Sequence, residues 1–147
     1  MTTLDDVASF TLDRQAQDFP ETALASAKLL LLDTLGIAAG ATVLESGSIA
    51  RELATTIYAA GTSEHSARLM FDGRSASLPG AAYAAATQID NLDGHDGYNP
   101  TKGHIGVVAV PTLFALAEQK PGLSGRDALA ALVVGYEIAG RAAIALH

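Results

Sequence analysis

Asp90-Asn-Leu-Asp-Gly-His-Asp-Gly-Tyr-Asn-Pro-Thr-Lys-Gly-His104 is a polar, turn-rich stretch in a chain that is otherwise mostly apolar. This stretch, called the central loop below, holds three acids and two of the four histidines of the chain. Apolar residues at helical spacing run into it from Pro79 and out of it as far as Gln119. The sequence therefore predicts a loop held between two buried helices, which is a common layout for a binding or catalytic site.

The central loop contains several residues that favour turns. Gly94, Gly97 and Gly103, together with Asn99-Pro100, predict positive φ angles and sharp reversals of the backbone. Such turns would aim polar side chains inward instead of laying them along a surface helix.

Composition limits the class of protein. The 147 residues, 49% of them hydrophobic, suffice for one domain with a core. Nine basic against 16 acidic residues, a net charge of −7, argue against a nucleic-acid partner. The absence of cysteine excludes disulfides and thiolate chemistry, and the first residues lack the pattern of a signal peptide. We therefore predict a cytoplasmic protein.

The run from Ala23 to Ala41 is apolar on nearly every side, which predicts a helix at the centre of a bundle. A membrane-spanning helix is the alternative. Lys28 and Asp33 interrupt the run, and its apolar lengths fall short of the roughly 20 residues that span a bilayer, so no membrane partner is predicted. Asp33 is expected to act as a cap, or to pair with a basic residue of a neighbouring helix, rather than to catalyse.

The remaining patterns complete a mainly helical, all-α fold with at most one small β-hairpin. The hairpin is predicted between Ala67 and Ser77, around an Asp72-Gly73 turn. The other predicted elements are a short helix from Leu4 to Leu12, a helix opened by Phe19-Pro20-Glu21, a third helix capped by Ser46 or Ser48 with Ile49, Leu53, Ile57 and Tyr58 on its inner face, a fourth from Pro79 to Asn91 capped by Ser77, a fifth from Ile105 to Gln119 irregular at Pro111, and a last helix from Asp127 to Leu146 capped by Ser124 and carrying a Glu137–Arg141 ion pair.

The last helix is still apolar where the sequence stops at His147, without a polar tail. We therefore expect residues 1–147 to form a single helical domain that is the N-terminal portion of a longer protein. Because Leu29 to Ala41 and Ala128 to Leu146 need apolar cover, a homodimer, a larger homo-oligomer or contact with the missing C-terminal portion is also expected.

Several ordered motifs identify the chain with a known family. They are Leu32-Asp-Thr-Leu-Gly36, Leu92-Asp-Gly-His-Asp96, Lys102-Gly-His-Ile-Gly106, Val110-Pro111, Ser124-Gly-Arg-Asp127 and Gly135-Tyr-Glu-Ile-Ala-Gly-Arg141. Together they resemble the N-terminal part of the MmgE/PrpD family, which includes 2-methylcitrate dehydratase, cis-aconitate decarboxylase and iminodisuccinate epimerase. The resemblance implies a large helical domain, with a smaller α+β lid expected to be absent from this chain.

The resemblance also implies a chemistry. Members of this family make or quench a carbanion beside a carboxylate of a small di- or tricarboxylate, without a metal or organic cofactor. By this resemblance Asp93 and His104 are the expected catalytic residues and Lys102 the expected carboxylate clamp. His95, Asp96 and Thr101 complete the expected substrate-binding set. His95 stands where many members carry an acid, which leaves dehydration, decarboxylation and epimerisation open.

Three alternatives remain at this level. Asp93 and Asp96 are also typical of residues that cap helix ends and bond turn amides. The acids with His95 and His104 form a possible divalent-metal set, although Asp-x-His-Asp with a distant histidine matches no strong ligand spacing. Finally, the chain could be a non-catalytic helical interaction module or a subunit of a split enzyme.

Overall fold

The computed structural model describes residues 3–146, so that Met1, Thr2 and His147 lie outside the described part. The helices and strands are α1 (Leu4–Leu12), α2 (Glu21–Gly40), α3 (Glu45–Thr56), β1 (Ser66–Arg68), β2 (Ser75–Ser77), α4 (Leu78–Leu92), α5 (Gly106–Ala117) and α6 (Gly125–Leu146), with short 3-10 turns at Ala16–Asp18, Ala41–Val43 and Ser63–His65. The predicted fold class, mainly helical with one small hairpin, is confirmed for these residues.

Helix α4 lies at the centre of the fold, between α3 and α5. Its contacts with them are made by small side chains, which allow the backbones to approach closely. A Cβ atom on Gly47 of α3, for example, would lie 3.3 Å from the Cγ of Gln88 on α4. The buried cluster around α4 consists of Ala50, Ala54, Ala67, Leu69, Ala76, Ala81, Ala84 and Ala115.

Helix α3 presents a different face to this core from the one predicted. Its buried residues are Gly47, Ala50 and Ala54, whereas Ile49 and Ile57 are 63% and 73% exposed. A close contact with the alanine-rich α4 favours small residues, so the larger side chains point outward. The predicted cap is also wrong, because Leu44 occupies the N-cap position and no side chain bonds there.

The hairpin confirms the prediction for residues 67–77. Strands β1 and β2 are antiparallel, with Ala67 opposite Ala76. The turn between them uses two residues with positive φ, Phe71 at 60° and Gly73 at 87°. Since both alanines are buried against α4, the hairpin covers one end of the core.

Helix α2 is not buried at the centre of the bundle, contrary to the sequence prediction. Its buried residues are Leu24, Ala27, Thr34 and Ala38, while Leu29 and Leu32 are each 67% exposed. The helix packs on α4, α5 and α6 along one side, which leaves its opposite face in solvent. Asp33 lies on that exposed side, and the expected basic partner is not found among the described ion pairs.

Two apolar helical segments, Glu21–Val43 and Gly125–Leu146, have the length and composition of a membrane span. Lys28 and Asp33 interrupt the first segment, as expected from the sequence, so its uninterrupted apolar stretches are shorter than the segment as a whole. Core helices of soluble proteins meet the same criterion, so this finding alone assigns no membrane contact.

Capping residues set several helix ends as predicted. The Ser77 hydroxyl accepts a hydrogen bond from the Gly80 N–H at 3.2 Å, at the start of α4. The Ser124 hydroxyl accepts from the Asp127 N–H at 3.1 Å, at the start of α6. The predicted Glu137–Arg141 ion pair is present on α6.

A polar network that the sequence did not predict joins α2, α3, α4 and the hairpin. The buried Gln88 amide donates to the Ala38 carbonyl at 2.6 Å and accepts from the Arg51 guanidinium. Arg51 in turn pairs with Asp72 of the hairpin turn at 3.2 Å. Asp72 also binds Arg74, whose N–H donates to it at 2.7 Å. This set is called the Arg51–Gln88 network below.

Candidate active site

The first three residues of the central loop form the last turn of α4, and its non-helical part begins at Asp93. Asp93, the C-cap residue, takes a left-handed conformation with φ 51° and ψ 38°. Its N–H donates to the Asp90 carbonyl at 3.1 Å, which closes the last turn. Next to it, Gly94 lies so close to α2 that an added Cβ would be 2.8 Å from the Ile37 side chain. The loop is thereby held against α2 at its first residues.

The positive φ angles of the loop fall on residues other than the expected glycines. Asp93 and Lys102 have φ values of 51° and 50°, whereas Gly94, Gly97 and Gly103 are not among the residues with positive φ. Asp adopts this conformation more readily than most residues, because its short polar side chain bonds locally. The glycine at position 94 is needed for close packing instead.

A tight turn around Asn99-Pro100 brings the second half of the loop back. The Tyr98 N–H donates to the Gly103 carbonyl at 2.8 Å, and the two residues form an isolated antiparallel bridge. The Thr101 hydroxyl donates to the Tyr98 carbonyl at 3.3 Å. This turn places His104 beside the residues at the end of α4.

His104 is held by its Nδ1 atom, which lies 2.8 Å from the Asp96 carbonyl oxygen. A carbonyl oxygen only accepts hydrogen bonds, so Nδ1 must carry the hydrogen. The other nitrogen, Nε2, faces the Asp93 carboxylate at 3.4 Å. Asp93 and His104, predicted as a catalytic pair, are thus brought together at the rim of the loop, with 79% and 29% of their side chains exposed.

His95 lies beneath this pair and is only 7% exposed. Its ring centroid is 4.3 Å from that of His104, with an angle of 44° between the rings. Neither ring nitrogen has a hydrogen-bond partner among the described residues. Burial lowers the pKa of His95 below its usual value, and the neighbouring His104 lowers it further, so the neutral ring is favoured.

Asp96 connects the loop to the start of α5. Both of its carboxylate oxygens lie 3.2 Å from the Gly106 N–H, which donates to them. The free N–H groups at a helix N-terminus stabilise a carboxylate in this position. Because the Asp96 carbonyl also holds His104, this one residue fixes both the histidine and the following helix.

Tyr136 and Thr34, which the sequence analysis did not single out as site residues, adjoin Asp96. An added Cβ on Gly106 would meet the Tyr136 hydroxyl, the Asp96 carboxylate and the Thr34 hydroxyl, so these three groups surround the glycine. The Tyr136 hydroxyl is buried without a hydrogen bond of good geometry to any described residue. Burial first, and the charge of Asp96 second, raise its pKa. The sequence offers one indication of this role, a tyrosine within the apolar helix α6, because a buried tyrosine hydroxyl usually needs a polar group beside it.

The predicted substrate-binding residues fall in different places. Thr101 and His104 line one cleft of about 370 Å³, between the loop and helices α5 and α6. Lys102, which follows Thr101 in the sequence, is exposed and does not line this cleft. His95 is buried beside His104, and the partly buried Asp96 contacts the start of α5. The cleft therefore joins only part of the predicted set.

One cluster of the site has the composition of a metal site. One ligand atom each from His95, Asp96 and His104 lies within 4.8 Å of the others. The spacing of these residues in the sequence matches no strong metal-ligand pattern, and the reversal of the chain between Tyr98 and Gly103 brings them together.

The family model of the MmgE/PrpD N-terminal domain matches residues 5–147. The chain belongs to the MmgE/PrpD family. The match confirms the resemblance drawn from the motifs, and it includes the whole central loop and all the helices that hold it. Comparisons with curated proteins and with solved structures found no match. Membership in the MmgE/PrpD family agrees with an enzymatic role. The role of each residue has to be argued from its position in this structure.

Proposed function

We propose that this MmgE/PrpD domain is part of a lyase or isomerase acting on a small di- or tricarboxylate. The reaction moves a proton at a carbon next to a carboxylate. The observation that carries the proposal is the His104–Asp93 pair, in which Nδ1 of the histidine is anchored and Nε2 faces a carboxylate. No cofactor is invoked for this chemistry.

The anchored ring has only one nitrogen left for proton exchange. A neutral His104 removes a proton from carbon through Nε2, and the electron pair moves into the adjoining carboxylate. A protonated His104, with the Asp93 carboxylate 3.4 Å from Nε2, returns the proton to carbon or gives it to a leaving hydroxyl group. Dehydration, decarboxylation and epimerisation each need one or both of these steps, so the proposal covers all three.

An anionic substrate also requires local positive charge, because the chain as a whole carries a net charge of −7. Lys102 is the lysine of the central loop. It is exposed and lies two residues before His104 in the sequence. We assign it the role of binding a substrate carboxylate. Thr101 lines the same cleft as His104 and is proposed to bind the substrate there.

A second candidate function is that of a non-catalytic helical module or a subunit of a split enzyme. It is favoured by the large apolar side chains left exposed on α2 and α5, which include Leu29, Leu32, Val108 and Leu116. Such surfaces mark contact with another polypeptide. Whether the reading frame continues into further helices and a lid separates these candidates most cheaply.

The test is solvent deuterium incorporation at carbon, followed by NMR for a panel of small di- and tricarboxylates. The chain is assayed alone and joined to any polypeptide encoded directly downstream. His104→Ala and Asp93→Asn are each expected to slow exchange by about a hundredfold to ten-thousandfold, the usual contribution of general acid or base catalysis. Lys102→Ala is expected to raise KM more than it lowers kcat, since a carboxylate clamp acts in both ground and transition states.

Two exposed residues provide matched controls. Asp90→Asn removes an exposed acid from the last turn of α4, and His65→Ala removes an exposed histidine outside the central loop; neither change should alter turnover. Melting temperatures separate activity from folding. Exchange rates of Asp93→Asn equal to those of Asp90→Asn would refute the proposed pair, and the absence of exchange in every joined form would favour the interaction module.

A further inference from the structure

The cluster of His95, Asp96 and His104 has features of a ligand site, and the proposed proton transfer uses only one of its three members, His104. Only 7% of the surface of His95 is exposed, yet both of its ring nitrogens lack hydrogen-bond partners among the described residues. A buried polar group without a partner costs free energy, which a ligand at that group would recover. His95 is directed toward the same small space as Asp96 and His104.

The bonds of His104 match those of a metal-binding histidine. Its Nδ1–H donates to the Asp96 carbonyl, which fixes the ring and leaves the lone pair on Nε2. Metal-binding histidines commonly donate their other N–H to a backbone carbonyl or carboxylate in this way. The Asp93 carboxylate lies 3.4 Å from Nε2 and adds negative charge beside that lone pair.

Asp96 retains the capacity to bind a cation while it holds α5. A carboxylate has about four lone-pair positions, and the single Gly106 N–H occupies only part of them. Asp90 and Asp93 add negative charge nearby and favour a cation at this place.

We propose that His95, Asp96 and His104 bind one divalent transition-metal ion. Two imidazoles and one carboxylate form a donor set that suits Zn²⁺, with a further coordination position open to solvent. The three ligand atoms, within 4.8 Å of one another, need only small side-chain movements to reach a common ion. The inference does not depend on the proposed function, although the two share His104.

The test is a titration of the full chain, stripped of metals, with Zn²⁺ in competition with a chromophoric chelator. One equivalent is expected to bind. His95→Gln, His104→Gln and Asp96→Asn should each weaken binding at least about tenfold, because even loss of a residue that only supports a ligand costs about 10- to 100-fold. His65→Gln, at an exposed histidine outside the loop, should leave the affinity unchanged.

Circular dichroism and melting temperatures show whether each variant folds. Should His95→Gln unfold, His104→Gln still tests the site, since His104 lies at the rim and is partly exposed. X-ray absorption of the zinc-loaded chain should show two imidazole ligands. Binding without saturation at one equivalent, ligation by carboxylates alone, or equal affinity in His104→Gln and His65→Gln would each overturn the proposal.

The shared histidine has a further consequence. A zinc ion on Nε2 of His104 removes the lone pair that the proposed proton transfer requires, so the same zinc concentration should inhibit turnover. The chelator titration measures binding without any reaction, and its outcome therefore stands apart from the failure or success of the proposed function.

Discussion

At the scale of single residues, Gly106 illustrates how closely the site is packed. It is the first residue of α5, and its N–H is the group that holds the Asp96 carboxylate. An added Cβ would lie 2.7 Å from Asp96 Oδ1 and 3.1 Å from Thr34 Oγ1. The position thus requires glycine because of the space that Asp96, Thr34 and Tyr136 occupy, although its φ angle is ordinary.

Gly106→Ala is therefore expected to destabilise the domain by about 1–3 kcal/mol, as overpacking a filled site does. Gly36→Ala on α2 is the matched control, because an added Cβ there has nothing within 4 Å. That control should stabilise the helix by up to about 1 kcal/mol, since alanine favours helix more than glycine. Urea unfolding of the three proteins checks both signs, and an equal effect at the two positions would contradict the packing argument.

At the scale of elements, the Arg51–Gln88 network ties the hairpin turn to three helices. The network passes from the Ala38 carbonyl of α2 through Gln88 of α4 and Arg51 of α3 to Asp72. Arg51 and Asp72 expose only 13% and 16% of their side chains, so their attraction is less screened than that of a surface pair. The network thereby orients α4, whose end carries Asp93.

The pH dependence of stability should report on Asp72. The Arg74 hydrogen bond above all, together with the charges of Arg74 and Arg51, lowers the pKa of Asp72 in the folded state. The stabilisation is fully present above the unfolded value of about 3.9 and is lost as the pH falls through the lower folded pKa. Asp72→Asn should cost about 1–2 kcal/mol at neutral pH and less in acid.

Urea unfolding at pH 7, 4 and 3 checks this expectation. Asp33→Asn is the control, since this exposed acid forms none of the described ion pairs and should have no such pH-dependent difference. A constant difference between Asp72→Asn and the unchanged chain across this pH range would mean that the charge of Asp72 is not what stabilises the turn.

At the scale of the whole molecule, exposed apolar surface is the main feature. Leu29 and Leu32 on α2, Val108 and Leu116 on α5, and Ile144 on α6 are all between 47% and 67% exposed. Removing such side chains from water favours association by roughly 25 cal/mol per Å² of apolar area buried. We propose that these faces meet a second copy of the chain or a further portion of the protein.

The chain on its own is accordingly expected to form a dimer or a larger assembly in light scattering. Leu29→Glu with Leu32→Glu should shift it toward monomer, because burying the two carboxylates in an interface is unfavourable. Leu12→Glu, at a 76% exposed leucine of α1, tests whether any added charge has the same effect. A monodisperse monomer of the unchanged chain at high concentration would contradict the expectation.

The sequence alone determined the helices, the hairpin and the family. The capping hydroxyls of Ser77 and Ser124 accept hydrogen bonds from N–H groups three residues further along the chain, so these helix starts can be predicted from the local sequence. The family match rests on ordered motifs that the sequence contains directly. For the site, the sequence named Asp93 and His104, and the fold brings them within 3.4 Å.

Tertiary structure alone decided which faces are buried and which groups meet. Helix α2 is apolar all round, so its sequence periodicity does not predict which face is buried. Packing against α4, α5 and α6 buries the face that carries Thr34. The cluster of His95, Asp96 and His104 depends on a chain reversal between Tyr98 and Gly103, and Asp96 and Tyr136, which lie close together around Gly106, are forty residues apart in the sequence. Such contacts depend on the free energy of packing several elements at once, which no local pattern of residues contains.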